Sequence, residues 1–435
     1  MSSSPRQPTT GLIDRLANSR VVICCGAGGV GKTTVSAAIG MAIASNWEKK
    51  VLVITIDPAR RLETALGVGA IGTRPVPIPA AKLRRAGLRS RGELSAAMLD
   101  MKSEWDRMVE RYASNRQVRD RILANRFYKE ISGAFIGSQE YMALEALYNL
   151  NATGAYDCIV VDTPPSRDAL DFLDAPDRVS DFVAARFLAW MAGPKSLGRR
   201  AYNITALPFL RIIDRLLGSA LLEEVAAFVG DLQSLYGGVR ERALAVYELL
   251  RDERTAFAVV TSLEPEAVAE TRFLCAELRE RSMSLRALIV NRELPNSLRD
   301  PSAVRAATTL TADPGVPGWL SAQLGESVPP GTPLALGEAF LTLHRLAERE
   351  SSQLALVERQ ARMVMAMIAR IPLADRDVSD LEGVAQLALS VGAAAGSVPE
   401  SRRSPGLGRG PGPRGPEVEG LSHMAASPLA GHTGG

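Results

Sequence analysis

Short runs of apolar, mostly β-branched residues alternate along the chain with segments in which apolar residues recur every three or four positions. The first pattern predicts strands that are buried on both faces, and the second predicts amphipathic helices. Six strands are predicted, at residues 20–25, 50–55, 157–162, 256–262, 285–291 and 367–371. Because strands and helices alternate, we expect an α/β fold with a mostly parallel, doubly wound sheet.

The helical pattern is longest in two blocks, which predict an inserted helical subdomain. The first block spans residues 91–151 and the second spans residues 169–250. In the first block, apolar residues lie mostly three or four positions apart, as at Leu94, Met98, Met101, Trp105, Met108 and Val109. One domain with these two insertions is therefore expected over residues 16–392.

Other segments lack a periodic apolar face. Residues 1–15 are expected to form a flexible N-terminus, and residues 393–435, rich in Gly, Pro, Ser and Arg, a disordered tail. Residues 77–91 carry a run of basic side chains, which predicts a mobile, solvated loop.

Composition narrows the class of protein. Of the 435 residues, 46% are hydrophobic and 23% are charged, and the net charge of +3 does not favour a nucleic-acid partner. No apolar run reaches the roughly 20 residues of a membrane-spanning helix, and the N-terminus has no apolar signal core. We therefore expect a cytoplasmic protein without a transmembrane segment.

The cysteines offer no recognisable metal site. Cys24, Cys25, Cys158 and Cys275 include no Cys-x-x-Cys pair, and three of the four lie in predicted strands. Buried, unreactive thiols are the expected result.

The first predicted strand ends in a glycine-rich turn that leads directly into a helix. Glycines allow backbone N–H groups to point inward around a phosphate, and the helix N-terminus adds a partial positive charge. Lys32 supplies a charge for the β- and γ-phosphates, and the Thr33 hydroxyl is suited to bind Mg²⁺. The predicted phosphate cradle consists of Gly26, Gly28, Gly29, Val30, Gly31, Lys32, Thr33 and Thr34.

The same glycines also fit the Gly-x-Gly-x-x-Gly pattern of dinucleotide sites. A dinucleotide site needs neither a lysine for a γ-phosphate nor a hydroxyl for a metal ion. Lys32 and Thr33 therefore favour a nucleoside triphosphate with Mg²⁺.

Two aspartates follow other predicted strands, and each has two interpretations. Asp57 follows the strand at 50–55 and is placed either to position the water that attacks a γ-phosphate or to cap the next helix. Asp162 ends the strand at 157–162, where it either holds Mg²⁺ through water or closes its own turn. Ligands bind at the carboxyl ends of parallel strands, so together with the glycine-rich turn the two aspartates predict a phosphoryl-transfer site.

These motifs resemble those of the ArsA-type ATPases, which include arsenical-pump ATPases and the ATPases that target tail-anchored membrane proteins. Residues 26–34 resemble the family's phosphate loop, residues 55–59 its first switch and residues 162–166 its second switch. The resemblance implies a P-loop NTPase fold and an ATPase that uses ATP and Mg²⁺. Lys32 and Asp57 then correspond to catalytic residues, and Thr33 and Asp162 to metal-binding residues.

Later segments extend the resemblance to most of the chain. Residues 260–271 resemble the strand and helix that follow in the family, and residues 290–292 its adenine-contacting segment. Residues 371–383 resemble its closing strand and the loop over the base. The resemblance therefore implies that Asn291 and Pro372 contact the adenine.

The resemblance also implies partners. Family members are dimers that couple ATP hydrolysis to a partner, and in the targeting members a Met-rich groove carries a hydrophobic client. A homodimer or a heterodimer with a paralogous ATPase is expected, together with a hydrophobic client or membrane protein. Ordinary helix packing and a client groove both explain the candidate groove residues Met98, Met101, Met108, Phe187, Trp190 and Met191.

One departure from the family pattern bears directly on catalysis. Residue 27 is alanine, where the family's loop normally has a second lysine that reaches the partner subunit's phosphates. A lysine-bearing paralogue in a heterodimer, or an arginine of this chain such as Arg60 or Arg167, would be needed to replace that charge. A catalytically weak, nucleotide-binding regulatory subunit is therefore the alternative function.

Overall fold

The computed structural model describes residues 11–56, 61–69, 71–126, 128–129, 138–163, 227–228, 230–231 and 235–393. The chain divides into two compact units, Met1–Pro399 and Glu400–Gly435, and every described residue belongs to the first. The predicted tail beyond residue 393 and most of the second helical block lie outside the described residues. So do individual candidates, namely Asp57, Arg60, Arg167, Phe187, Trp190 and Met191.

The described residues form one eight-stranded sheet in the order β3-β4-β2-β5-β1-β6-β7-β8. Its strands are β1 (Val21–Cys25), β2 (Lys50–Thr55), β3 (Val76–Ile78), β4 (Glu93–Met98), β5 (Cys158–Asp162), β6 (Thr255–Thr261), β7 (Leu285–Glu293) and β8 (Met367–Pro372). All neighbouring strands are parallel except β3, which runs antiparallel to β4 at one edge. The predicted α/β class and all six predicted strands are confirmed.

Thirteen α-helices lie in the described part of the chain. They are α1 (Leu12–Ala17), α2 (Lys32–Asn46), α3 (Arg61–Ala65), α4 (Ala80–Arg85), α5 (Met101–Tyr112), α6 (Arg116–Ala124), α7 (Ser138–Thr153), α8 (Tyr236–Arg251), α9 (Pro265–Glu280), α10 (Pro301–Ala312), α11 (Val316–Leu324), α12 (Gly331–Val364) and α13 (Leu381–Ala393). Within those residues, none of the helices has the length and apolarity needed to cross a bilayer.

Side chains of the central strands alternate between two apolar cores, one on each face of the sheet. Val21 and Ile23 of β1 belong to the core that is shared with α5 to α9, whereas Val22 and Cys24 belong to the core shared with α1 to α4 and α13. Successive strand residues point to opposite faces, and both faces are covered here. Because both faces of the sheet are buried, these strands appear in the sequence as continuous apolar runs.

The position of β1 determines where a ligand can bind. β1 lies between β5 and β6, so the chain leaves it toward β2 on one side, while β6, β7 and β8 are added on the other. A crevice opens at the carboxyl ends of parallel strands where the strand order reverses in this way. The glycine-rich turn follows β1 directly and therefore lies at this crevice.

The first predicted helical block was wrong at its start. Residues Glu93–Met98 form β4, paired in parallel with β2, and the helices begin only with α5 at Met101. Leu94 and Met98 are four positions apart, and this spacing places side chains on one face of a strand as well as of a helix. The pattern alone did not separate the two.

Two segments that were expected to be flexible contain helices. α1 begins at Leu12, and Leu12, Ile13 and Leu16 are buried, so the predicted flexible N-terminus does not extend to residue 15. Residues 77–91, predicted to be a mobile loop, contain part of β3 and all of α4, which is anchored by the buried Leu83. In both segments, burial of a few apolar side chains stabilises a helix even though charged residues are adjacent to them in the sequence.

Candidate functional site

The glycine-rich turn after β1 adopts a backbone that requires glycine at three positions. Gly26, Gly29 and Gly31 have φ values of 144°, 79° and 91°. A Cβ on Gly26 would lie 2.0 Å from the carbonyl oxygen of Val260 in β6, and one on Gly31 would lie 2.5 Å from Nδ2 of Asn291 in β7. The turn is thus packed directly against the ends of two neighbouring strands.

Lys32 is the first residue of α2 and folds back over the turn. Its Nζ donates hydrogen bonds to the carbonyl oxygens of Gly26 at 2.9 Å and Ala27 at 2.7 Å. Burial lowers the pKa of Lys32, and the positive charge of Arg61 on α3 acts in the same direction. The carboxylates of Asp162 and Glu270 act in the opposite direction and raise the pKa of Lys32. The ammonium group therefore has both negatively and positively charged neighbours.

Asp162 ends β5 and is completely buried beside β1 and β2. Its Oδ2 accepts a hydrogen bond of 2.9 Å from the Thr55 hydroxyl at the end of β2. The next residue, Thr163, donates from its hydroxyl to the carbonyl oxygen of Cys24 at 2.9 Å. Asp162 is therefore held in place at the carboxyl edge of the sheet, where the sequence predicted a magnesium-binding carboxylate.

The residues present fit a magnesium ion that is shared with a nucleotide. Thr33 lines the cavity beside the turn, and the carboxylate of Asp162 is close enough to Lys32 to influence its pKa. Within the described residues, no three His, Cys, Asp or Glu side chains form a cluster that would hold a metal ion by themselves. Mg²⁺ ordinarily takes one or two protein ligands and completes its shell with phosphate oxygens and water.

A cavity of about 480 Å³ opens beside the turn. It brings together Gly29, Gly31, Lys32, Thr33 and Thr34 of the predicted cradle. The sequence did not single out the remaining lining residues as site residues, and these are Arg61, Thr64 and Ala65 of α3, Thr163, Arg292, Val378 and Ser379. The available signal for Thr163, Arg292, Val378 and Ser379 was their place in segments 162–166, 290–292 and 371–383, which carry the family resemblance, whereas Arg61 only follows Arg60, a residue already singled out.

Neither of the two predicted adenine residues, Asn291 and Pro372, is among the described residues that line this cavity. Asn291 is buried, and its Nδ2 donates to the carbonyl oxygen of Val30 at 2.8 Å, so it supports the turn directly. Pro372 ends β8 next to Glu293 of β7. The described lining residues that follow β8 in the chain are Val378 and Ser379.

Arg292 owes its position to a bulge in β7. The pairing of β7 with β8 shifts register between Val290 and Glu293, and Arg292 has a φ of 63°. Its Nη1 donates to the carbonyl oxygen of Gly29 at 3.3 Å. A bulge redirects a side chain that a regular strand would have pointed elsewhere, and here it turns an arginine toward the phosphate loop.

All four cysteines are buried and reduced, as predicted. Burial raises the pKa of Cys24, Cys158 and Cys275 to about 12, and that of Cys25 further still. These thiols are therefore protonated at neutral pH, and protonated thiols are poor nucleophiles and poor metal ligands.

Comparison with known sequences agrees with this geometry. The sequence profile of the anion-transporting ATPase family matches residues 19–311, which is more than half of the chain. The chain belongs to this ATPase family. The match begins just before β1 and, of the described residues that line the cavity of this ATPase, leaves out only Val378 and Ser379.

Individual relatives are distant but cover long segments. The ATPase is 28% identical over 292 residues to the ATPase GET3 of Malassezia globosa, which covers 66% of this chain and 77% of that protein. It is 25% identical over 290 residues to a putative arsenical pump-driving ATPase 2 of Aquifex aeolicus, with coverages of 65% and 82%. Identity to the ATPase BagA of Mycobacterium tuberculosis is 24% over 306 residues, with coverages of 69% and 72%.

Proposed function

We propose that this ATPase binds Mg-ATP in the cavity beside the glycine-rich turn and couples its hydrolysis to a switch between two states of a dimer. The switch acts on a membrane-linked partner or client. The observation that carries the proposal is that Lys32 and Thr33 line the cavity while Asp162 ends β5 beside β1, at the same carboxyl edge of the sheet. These residues provide a charge for the phosphates, a hydroxyl for Mg²⁺ and a buried carboxylate to orient the metal's water ligands.

Protein groups and metal have separate tasks in this reaction. Thr33 and Asp162 would hold Mg²⁺, which would neutralise part of the phosphate charge when it is bound. The N–H groups of the turn and the ammonium of Lys32 hold the phosphates in a partly dry cavity, where such interactions are stronger than in bulk water. Asp57 positions the attacking water.

The first prediction tests the role of Asp57. Asp57→Asn keeps the shape of the side chain and removes its negative charge, so Mg-ATP affinity should stay within about twofold while single-turnover hydrolysis falls roughly 10²-fold. Rapid-quench measurements with saturating protein separate the chemical step from binding. Hydrolysis near the parental rate would mean that Asp57 only caps the following helix.

The second prediction concerns the choice of base. Asn291→Ala should weaken ATP binding and also reduce the preference for ATP over GTP, because the amide both supports the turn at Val30 and is the proposed adenine contact. A competition assay with a fluorescent ATP analogue measures both effects. Asn46→Ala at the exposed end of α2 is the matched control, since that amide bonds to Ala42 in its own helix. If the ATP-to-GTP ratio is unchanged in Asn291→Ala, the adenine role is refuted.

The dimer switch has its own test. Small-angle X-ray scattering of the full chain with Mg-ADP, and again with Mg-ADP and aluminium fluoride, compares the product state with an analogue of the transition state. We expect a dimer whose radius of gyration differs between the two. Identical curves, or a monomer in both, would reject the switch while leaving ATP hydrolysis in place.

Ala27 supports a second candidate function, that of a catalytically weak subunit that needs a lysine-bearing paralogue. The alanine side chain is 5% exposed and packs in the core shared with α2. Position 27 therefore adds no charge to the subunit's own cavity. Turnover by the purified chain alone distinguishes the two functions, since a dependent subunit binds Mg-ATP but hydrolyses it only with its partner.

The groove for a client is supported only weakly by the described residues. Met108 of α5 is 2% exposed and packs in the core that α5 shares with α7 and α8. A side chain in that position is available to a client only if the helices rearrange. The hydrophobic client therefore stays a proposal that depends on the dimer switch.

A further inference from the structure

The cavity contains two arginines that the cradle motif does not include. Three of its described lining residues carry positive charge, namely Lys32, Arg61 and Arg292, and they come from α2, α3 and the end of β7. No acidic residue is among the described residues that line the same cavity. A cavity lined in this way favours a ligand with several negative charges, such as a triphosphate.

The two arginines differ in how they are held. Arg292 is tied to the loop carbonyl of Gly29 and has a strained backbone, so its guanidinium supports the outer side of the turn. Arg61 is an exposed residue at the start of α3, and it follows directly after residues 57–60, which contain Asp57. Arg61 and Lys32 line the cavity from α3 and α2, and these two helices contribute to the same core.

Arg61 and Lys32 face the same cavity from two helices that pack against each other. An anion bound between them lies near both positive charges, and these attractions increase as negative charge grows on its oxygens. Interactions that are stronger in the transition state than in the ground state accelerate a reaction.

We propose that Arg61 supplies within one subunit the catalytic charge that residue 27, an alanine here, cannot supply across a dimer. In the reaction the water oxygen bonds to the γ-phosphorus, and the bond from that phosphorus to the bridging oxygen breaks. The electron pair stays on ADP, and both protons of the water leave with inorganic phosphate as H₂PO₄⁻, which then releases one of them to solvent. Arg61 stabilises the charge that develops on the bridging and γ-phosphate oxygens. This inference rests on the proposed function and opposes the dependent-subunit alternative.

The test compares three arginines in the purified full chain. Arg61→Ala should lower kcat about 10²-fold, as removal of one preorganised donor does elsewhere, and leave the Kd for Mg-ADP within about twofold. The parent should bind Mg-ADP more tightly when aluminium fluoride is present, and Arg61→Ala should abolish this difference in affinity. Arg292→Ala should instead raise KM with a smaller loss of kcat, because it removes support from the turn in every state. Arg272→Ala, exposed on α9 outside the cavity, should match the parent.

Chemical rescue separates a missing charge from a disturbed fold. Added guanidinium ion at non-denaturing concentration should restore part of kcat in Arg61→Ala but not in Arg292→Ala, and Arg61→Lys should retain more activity than Arg61→Ala. A merely structural role for Arg61 predicts no rescue, and that result would overturn the inference. Parental kcat in Arg61→Ala would overturn it as well.

Two further outcomes distinguish this inference from the function on which it rests. If the parent binds Mg-ATP in calorimetry but does not turn it over alone, Arg61 does not replace the lysine and the dependent subunit is the correct function. If the parent does not bind Mg-ATP at all, the proposed function itself fails. Ala27→Lys should not raise turnover of the parent, and a gain of about tenfold or more would show that the missing charge had not been supplied in cis.

Discussion

Lys32→Ala is expected to abolish tight Mg-ATP binding and to lower kcat/KM by about 10³-fold or more. The ammonium group lies directly against the turn, 2.9 Å and 2.7 Å from the carbonyl oxygens of Gly26 and Ala27. Hydrogen bonds to charged groups contribute roughly 1.5–3 kcal/mol each, and the γ-phosphate gains charge in the transition state. Both ground-state binding and the chemical step therefore depend on Lys32.

The stability of the same variant should change little. Burial lowers the pKa of Lys32, which shows that its charge is desolvated in the protein without nucleotide, and removing that charge offsets the lost hydrogen bonds. We expect the free energy of unfolding to stay within about 1 kcal/mol of the parent. Isothermal titration with Mg-ATP and denaturant unfolding measure the two quantities. Lys102→Ala is the control, since this lysine is exposed and paired with Asp106 on the surface.

Parental Mg-ATP affinity in Lys32→Ala would remove the assignment of this cavity as the nucleotide site. A large loss of stability would instead assign Lys32 a structural role. The family membership would be unaffected in either case, because it rests on the match over residues 19–311.

Gly26→Ala should lower both stability and nucleotide binding, whereas Gly28→Ala in the same turn should leave stability unchanged. A Cβ at position 26 would lie 2.0 Å from the Val260 carbonyl oxygen, and φ of 144° is a conformation that alanine rarely adopts. Among the described residues, and apart from residues 27–29 themselves, no atom lies within 4 Å of a Cβ added at position 28. The strained backbone costs on the order of 1–3 kcal/mol and the clash adds to it, so we expect a loss of about 3 kcal/mol for Gly26→Ala.

Relief of the clash requires the turn to move away from β6, which displaces the N–H groups that face the phosphates. Mg-ATP affinity should then fall about 10²-fold or more, since at least two charge-assisted hydrogen bonds are misplaced. Denaturant unfolding without nucleotide compares the two glycine variants directly. Equal stability of Gly26→Ala and Gly28→Ala would mean that the turn is not held against β6 at Val260.

The local parts of this site were predictable from the sequence because their signals are contained in short segments. The turn carries its glycines, lysine and threonines within residues 26–34, and each of the six predicted strands is a continuous apolar run. The thiols are a further case, since Cys24, Cys25 and Cys158 lie inside such runs and are buried. In each case the residues that determine the local structure all lie within one short segment of the chain.

Edge elements were predicted less well. β3 and β4 are short, and the spacing in β4 suits a strand as well as a helix. Their pairing with β2 and with each other decides their structure, and pairing is not visible in either segment alone. The same holds for α1 and α4, which are ordered because a few apolar residues are buried against distant parts of the chain.

By itself, then, the sequence determined the fold class, the glycine-rich turn after β1 and the carboxylate at the end of β5, because each depends on neighbouring residues. Only the tertiary structure decided what surrounds the glycine-rich turn. Gly26 is confined by Val260, Asn291 supports Val30 from 261 positions away, and the bulge in β7 turns Arg292 toward Gly29. Arg61 joins Lys32 in one cavity because α3 packs against α2. Such contacts between distant residues arise from sheet order and packing, which a motif does not encode.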